Sequence, residues 1–415
     1  MRKRTEALPS PIDRQRRLLV AAGATMPIGA TGCERDEDEE AAVAPVKRWL
    51  KRPGSSTFEI PPDYLGMHAD NGVNPKSPSP TYAYDAVRSV DVDDAEEMPA
   101  THWSRIEREP GRYHWREVDR WVDGQKGKTI VWTLFGCPSF YQRYPREPWA
   151  YPYLPGGGSP PRNPDVAGSF VKALIERYGS KIGFIEVWNE PNFGNKGNDP
   201  LRHRWTPDLG MPAFFTGTAA DLAQLARALK RVVPPTAKVI GCAWEGQSDP
   251  SSRFNSALRF SSAPDGSGGT GKDNLDALSV HSYTYDGNAN KIVDELLGYE
   301  ACFAKAGYPQ TMPRYVTEVG AEKPKFWTAD VPPMAEKIRM IQRWCMVPAA
   351  LGYRGVYLYK HGLMRTLGDP ARTPQIAEAI STLRQQLRGR VVVRAAELQD
   401  GSIWMRFKDG DDLRA

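Results

Sequence analysis

Two glutamates close apolar runs in this chain. The first run reads Phe184-Ile185-Glu186-Val187-Trp188-Asn189-Glu190-Pro191-Asn192, and the second reads Arg314-Tyr315-Val316-Thr317-Glu318-Val319-Gly320. Short runs of this kind are buried strands, so each leaves a carboxylate, Glu190 or Glu318, at a C-terminal strand end. Two carboxyl groups that converge on one cleft can break a glycosidic bond: one gives a proton to the leaving oxygen, and the other meets the oxocarbenium-like centre. A separation of about 5 to 5.5 Å retains configuration and one of about 6.5 to 9.5 Å inverts it. Two unit charges about 5 Å apart at an effective dielectric near 20 repel by roughly 3 kcal/mol, which separates their titrations by about two pH units. One of the pair then keeps its proton near neutral pH. The expectation is that Glu190 holds it, as general acid and then base, and that Glu318 attacks the anomeric carbon.

Such a pair needs a scaffold that aims several strand ends at one place. From about Asp63 onward, short runs rich in Val, Ile and aromatics alternate with stretches at helical spacing, the signature of βα units and a parallel sheet. Eight strands are expected, at Tyr64–Ala69, His102–Ile106, Thr129–Phe135, Phe184–Asn189, Lys238–Ala243, Leu278–Tyr283, Arg314–Val319 and Arg354–Tyr359. Helices are expected at Val166–Tyr178, Phe214–Val232, near Ala289–Ala306, Met334–Ala350 and near Pro374–Leu387, where Thr373 can cap. Eight strands with intervening helices over roughly 320 residues favour a (β/α)8 TIM barrel, whose active site lies at the strands' C-terminal face. No G-x-G-x-x-G follows the first strand, which argues against a dinucleotide fold. The fourth and seventh strands, carrying Glu190 and Glu318, face each other across the barrel mouth. Two long connections, Cys137–Pro164 and Trp244–Asp276, follow strands and so sit on that face. After Arg388, Val391–Leu398 and Ser402–Phe407 flank Asp400-Gly401 and read as a hairpin, which has to pack on something to be stable.

The string W-N-E-P-N, with E-x-G at the end of the seventh strand, resembles glycoside hydrolase clan A. Within that clan Phe184–Asn192 is similar to the F-E-x-W-N-E-P-N segment of family 39. Leu65-Gly66-Met67-His68, Trp103-Ser104-Arg105-Ile106-Glu107 with Gly111, Tyr113 and Trp115, and Ser159-Pro160-Pro161 agree with it in order and spacing, and the resemblance covers about residues 58 to 370. It implies Glu190 as acid/base and Glu318 as nucleophile; no cofactor is expected, and no cysteine or histidine spacing points to a metal. It further implies that Asn189 hydrogen-bonds the sugar 2-hydroxyl, and that His281 and Tyr283 contact and orient the nucleophile. Arg105, placed at the end of strand two, resembles the clan's arginine that keeps the nucleophile ionised. Many clan members carry Trp at the end of strand eight, whereas this chain reads Tyr357-Leu358-Tyr359-Lys360-His361, which puts Tyr359 at the floor of the subsite. The hairpin tail is short beside the β-sandwich appended in family 39.

Blander roles stand beside these. Glu190 and Glu318 could be surface carboxylates, His281 a core histidine, and Arg105 an ion-pair partner of Glu107 or Glu109. Trp132, Phe140, Tyr141, Tyr144, Trp149, Tyr151 and Tyr153 could stack sugar rings or fill core under a long loop. A surface-tethered carbohydrate-binding protein without turnover would keep the barrel, but would be expected to have lost one of Glu190, Glu318, Asn189, His281 and Tyr283. A transglycosidase would use the same site.

The remaining sequence bounds partner and compartment. Among 415 residues the net charge is only +5, with Lys and Arg scattered among similar numbers of Asp and Glu, so nothing points to nucleic acid. Residues 1–33 read as an export signal: Arg16-Arg17-Leu18-Leu19 resembles a twin-arginine signal, and the apolar run that follows, roughly fifteen residues, is short for a bilayer core of about 30 Å. Ala30-Thr31-Gly32-Cys33 resembles a lipoprotein cleavage box, departing at Ala30; the alternative is that Cys33 merely follows a cleavage site. Residues 34–57, acidic at the start, read as a flexible tether, 58–388 as the catalytic barrel and 389–415 as the hairpin element. An exported protein, periplasmic or at the cell surface and tethered if Cys33 is lipidated, is expected to act on an extracellular or envelope polysaccharide or oligosaccharide. Cys137, Cys242, Cys302 and Cys345 lack zinc spacing, and either two disulfides or four buried thiols fit.

Overall fold

The computed structural model describes residues 44–51, 57–68, 84–89, 100–145, 157–192, 214–252, 255–283, 290–320, 333–359 and 374–415. Strands β1 (Val46–Trp49) and β2 (Phe58–Glu59) precede the barrel. Its first two strands are β3 (Leu65–His68) and β4 (Ala86–Arg88). Then come α1 (Trp103–Ile106), a small hairpin of β5 (Glu107–Glu109) and β6 (Arg112–Tyr113), and α2 (Arg116–Gly124). The barrel continues through β7 (Thr129–Thr133), α3 (Asp165–Tyr178), β8 (Ile182–Glu186), α4 (Ala219–Lys230), β9 (Lys238–Glu245) and α5 (Ser256–Ser262). It ends with β10 (Ala277–Tyr283), α6 (Lys291–Lys305), β11 (Arg314–Gly320), α7 (Met334–Ala350), β12 (Gly355–Leu358) and α8 (Pro374–Leu387). Strands β3, β4 and β7 to β12 pair in parallel, in chain order, and close on themselves. This is the expected (β/α)8 barrel.

The second barrel strand is not where the sequence suggests. His102–Ile106 was expected there, yet Trp103–Ile106 forms one helical turn, and its buried residues Trp103 and Ile106 stand three apart, which is helical spacing. The strand is instead Ala86–Arg88, only three residues long, pairing Gly66 with Ala86 on one side and Ala86 with Thr129 on the other. Its third residue is a charged side chain turned into the barrel, so no apolar run marks it.

Inside the barrel the strand period of two builds layers. Ala86, Val131, Phe184, Ile240, Ala277, Tyr315 and Tyr357 form one apolar cluster, contributed by seven strands. Gly66 makes room for it, since a Cβ there would stand 2.3 Å from the Tyr357 ring. Outside the barrel wall, Phe170, Val171 and Leu174 of α3, Leu222, Leu225 and Leu229 of α4 and Met340, Ile341 and Trp344 of α7 belong to the main core. Helix α4 begins at a capping box in which Thr218 and Asp221 satisfy each other's backbone N–H.

The tail hairpin is confirmed and enlarged. β13 (Val391–Leu398) and β14 (Ile403–Phe407) pair antiparallel, β15 (Asp412–Arg414) extends them, and Gly401 takes a left-handed φ of 79° in the turn. On its other side β13 pairs with β1 and β2, giving five strands. The stretch 34–57 is therefore not all tether, and Phe58–Glu59 belongs to this sheet instead of the barrel. The sequence hid this because β1 is a short edge strand with Lys47 and Arg48 in it, and both bind the buried Glu397 across a separation in chain of about 350 residues. Val392, Ala395, Ile403, Met405 and Phe407 join the main core, in which β13 and β14 lie against α7. Cys137, Cys242, Cys302 and Cys345 are buried thiols, so the thiol alternative holds among the described residues. No described helix is long and apolar enough to cross a membrane. The export signal, Cys33 and the acidic segment that follows it lie outside the described residues, as do Trp149, Tyr151 and Tyr153.

Candidate active site

Two residues beyond the apolar layer, the same strands change character. Arg88, Thr133, Glu186 and Thr317 stand two positions after Ala86, Val131, Phe184 and Tyr315, and all four are fully buried. They meet at Glu186. Its Oε2 accepts from Arg88 Nε at 2.7 Å and Thr133 Oγ1 at 2.8 Å and lies 2.6 Å from Arg88 Nη2 as an ion pair, while Oε1 accepts from Thr317 Oγ1 at 2.8 Å. A carboxylate can be buried only when a cation and hydroxyls replace its water, and here they do.

The guanidinium passes the connection upward. Arg88 Nη1 donates to Glu318 Oε1 in a very short contact, and Nη2 donates to Asn189 Oδ1 at 2.7 Å. Because guanidinium only donates, the amide oxygen of Asn189 is fixed towards Arg88. Arg88 is held firmly charged: burial opposes this, and Glu186 and Glu318 beside it overcome that cost and raise its pKa.

Glu318 comes from β11, where its Cα pairs with that of His281 on β10. Glu318 Oε2 accepts from Tyr283 Oη in a second very short contact. The ring of Tyr283 lies against Gly320, where a Cβ would stand 3.3 Å from Cε1. The glycine of the E-x-G pattern thus lets the tyrosine reach back to the glutamate. His68, at the end of β3, places Nε2 3.4 Å from Glu318 Oε1, 3.3 Å from Arg88 Nη1 and 3.2 Å from the Thr317 carbonyl.

Glu190 lies just beyond β8, in a strained backbone conformation with φ at 40°. The turn is pinned on both sides: Trp188 Nε1 donates to the Phe214 carbonyl at 2.7 Å, and Asn192 Nδ2 donates to the Glu245 carbonyl at 2.6 Å. The W-N-E-P-N string therefore supplies both the carboxylate and the anchors that aim it.

His281 joins the two glutamates. Its Nδ1 is 2.6 Å from Glu190 Oε1 and 3.2 Å from Glu318 Oε2. Burial above all, then the charge of Arg88, pushes its pKa well below the ordinary histidine value, so the ring is neutral at neutral pH. Nδ1 thus faces oxygens of both carboxyl groups, a donor when it carries the proton and an acceptor when a carboxyl does. Oxygens of Glu190 and Glu318 and a nitrogen of His281 lie within 4.8 Å of one another. These donor types could also take a metal ion, but the Arg88 guanidinium already brings a positive charge against Glu318.

Tyr359 lies edge-on to His68, with ring centroids 4.9 Å apart, and edge-on to Tyr283 at 5.8 Å. Asn189, Glu190, His281, Tyr283, Glu318 and Tyr359 thus come together. Two expected site residues do not. Arg105 lies on α1 and pairs through Nε with Glu117 Oε2 of α2 at 2.7 Å, and the place expected for Arg105 beside Glu318 is held by Arg88. Trp132 is fully buried against Trp121 of α2, because its neighbour Thr133 points into the barrel and alternation turns Trp132 outward. Tyr141 is likewise taken up in the protein, donating to Glu107 Oε1 at 2.9 Å. The site residues that sequence reasoning did not assign are Arg88, Glu186 and His68; for Glu186 the available signal was a charged residue inside an otherwise apolar strand.

No family model matches the chain, and no curated protein matches it by sequence. By structure it is similar to a 4-O-α-L-rhamnosyl-β-D-glucuronidase from Fusarium oxysporum 12S, with 13% identity and a TM-score of 0.53 over 89% of this chain and 79% of that one. It is also similar to a glucosidase from Croceicoccus marinus, with 14% identity and a TM-score of 0.51 over 86% of this chain and 77% of that one. At this identity the likeness carries the fold, a TIM barrel of the kind those glycosidases share.

Proposed function

We propose that the protein is a retaining O-glycoside hydrolase of the clan A type, most like family 39, that cleaves an extracellular or envelope polysaccharide or oligosaccharide. The observation that carries this reading is the approach of Glu190 and Glu318 to within 4.8 Å, oxygen to oxygen, at the mouth of the barrel. Carboxyl oxygens that approach this closely leave little room for a water between the two groups, which favours double displacement over inversion.

In the first step Glu318 attacks the anomeric carbon as the bond to the leaving oxygen breaks, and Glu190 transfers its proton to that oxygen. A glycosyl ester on Glu318 results. In the second step Glu190, now a carboxylate, takes a proton from water as the water oxygen displaces Glu318 from the anomeric carbon. Arg88 and Tyr283 keep the nucleophile ionised and fixed, and the Asn189 amide donates to the sugar 2-hydroxyl. His281 follows the proton on Glu190. The site is complete, which favours turnover over a binding role alone.

The twin-arginine-like leader supports export, and the Ala30–Cys33 box supports a lipid tether on Cys33. Wild type incubated with aryl glycosides of several sugars is expected to release product with the substrate's anomeric configuration, followed by proton NMR before mutarotation. Inverted product would contradict the mechanism. The tether is tested by labelled palmitate, which is expected in wild type and absent from Cys33→Ala.

A further inference from the structure

The buried carboxylate Glu186 has no part in the two displacement steps, yet it makes more contacts with Arg88 than the nucleophile does. We infer that Glu186 is a positioning residue that cancels the charge of Arg88, so that the site around Glu318 keeps the negative charge the reaction needs. This rests on the proposed double displacement and adds a role to it.

The argument is one of charge and geometry. Arg88 is permanently cationic and lies against Glu318. The transition state develops positive charge at the anomeric carbon, so a naked guanidinium there would oppose it. Glu186 binds the same guanidinium through Nε and Nη2, leaving Nη1 for Glu318. With Glu186 and Glu318 ionised and Arg88 charged, the three carry one net negative charge, held at the reacting end. Thr133 and Thr317 satisfy the rest of Glu186, and they tie β7 and β11 to it. Thr317 adjoins the nucleophile in sequence, so the same carboxylate fixes the strand that presents Glu318.

The groups facing Glu318 are His68 from β3, Arg88 from β4, Glu190 from beyond β8, and His281 and Tyr283 from β10. Those facing Glu186 are Arg88 and the two threonine hydroxyls, with Cys242 of β9 and Tyr357 of β12 near enough to feel its charge. Glu186→Gln keeps the shape and removes the charge. Arg88 is then uncancelled, which favours the ionised nucleophile but makes it less basic and disfavours the cationic transition state.

The test compares wild type, Glu186→Gln, Glu186→Asp and Thr317→Val on a glycoside that wild type cleaves, as pH profiles of kcat/KM. Glu186→Gln is expected to lose about tenfold to a hundredfold in kcat/KM, mainly in kcat. Its acidic limb is expected to move down by about one pH unit. Glu186→Asp, which keeps the charge, is expected to recover the wild-type limb, and Thr317→Val, which removes one hydrogen bond and no charge, is expected to leave the limb in place. An active Glu186→Gln whose limb does not move, or a Thr317→Val whose limb moves as far, would overturn the role given to Glu186. Inactivity of wild type on every glycoside would instead contradict the hydrolase reading on which it rests.

Discussion

Two neighbouring layers of the same barrel divide the molecule's tasks. The lower one, Ala86, Val131, Phe184, Ile240, Ala277, Tyr315 and Tyr357, is apolar and closed. The upper one begins two residues later on the same strands with Arg88, Thr133, Glu186 and Thr317, and each polar group there is matched to another. A step of two residues keeps each side chain pointing inward and moves it about 7 Å along the strand. Stability and chemistry are thus stacked, and substitutions in the two layers are expected to have separable effects.

The sharpest separation is expected at Glu318, the proposed nucleophile. Glu318→Ala should lower kcat by about 10⁴-fold or more while the protein stays folded, checked by steady-state kinetics beside circular dichroism melting. Arg88→Met lies in the upper layer yet should lower stability as well as activity, because it strands Glu186 as a buried anion. It is expected to cost roughly 3 to 5 kcal/mol in chemical denaturation, as well as most activity. Phe184→Ala, in the lower layer, should cost about 3 to 5 kcal/mol of stability and leave kcat per folded molecule within about threefold of wild type. If its kcat fell as far as that of Glu318→Ala, the layers would not be separable.

A smaller effect is expected behind the site. Ser282, between His281 and Tyr283, donates to Glu295 Oε2 at 2.6 Å. Burial first, with Glu245 adding to it against the Ser282 hydrogen bond, pushes Glu295 up to about 8. An unfolded glutamate titrates near 4.3, so between those values the folded protein holds more protons than the unfolded chain and loses stability as pH rises. Glu295→Gln should therefore be the more stable at pH 8.5, by up to roughly 5 kcal/mol, and about equal to wild type at pH 4. Smallest of all, Arg105→Met should change kcat little and stability by about 1 kcal/mol or less, since its pairing with Glu117 is partly exposed.

What could be read from the sequence follows the same division. The placement of Glu190 and Glu318 at the barrel mouth was legible because apolar runs lead up to them, and the barrel was legible from seven such runs. The second strand was not, because three residues ending in an inward arginine carry no apolar period. That single error moved the arginine of the site from Arg88 to Arg105. Trp132 was misplaced because an aromatic beside the site in sequence can face either side of the wall, and only the inward Thr133 decides which. The tail hairpin announced itself through Asp400-Gly401, a local signal, while its partners Val46–Trp49 and Phe58–Glu59 lie more than 300 residues away and leave no local mark. Glu186 was visible as a charge in a strand, but its meaning depends on a partner from another strand.

The central claim, that Glu190 and Glu318 divide the work of one double displacement, is tested most directly by azide rescue of Glu190→Ala and Glu318→Ala on an activated aryl glycoside. Azide should intercept the glycosyl-enzyme of Glu190→Ala and give the glycosyl azide of retained configuration, whereas Glu318→Ala should give the opposite anomer. The same anomer from both variants, or no rescue of either on a substrate that wild type cleaves, would contradict the assignment.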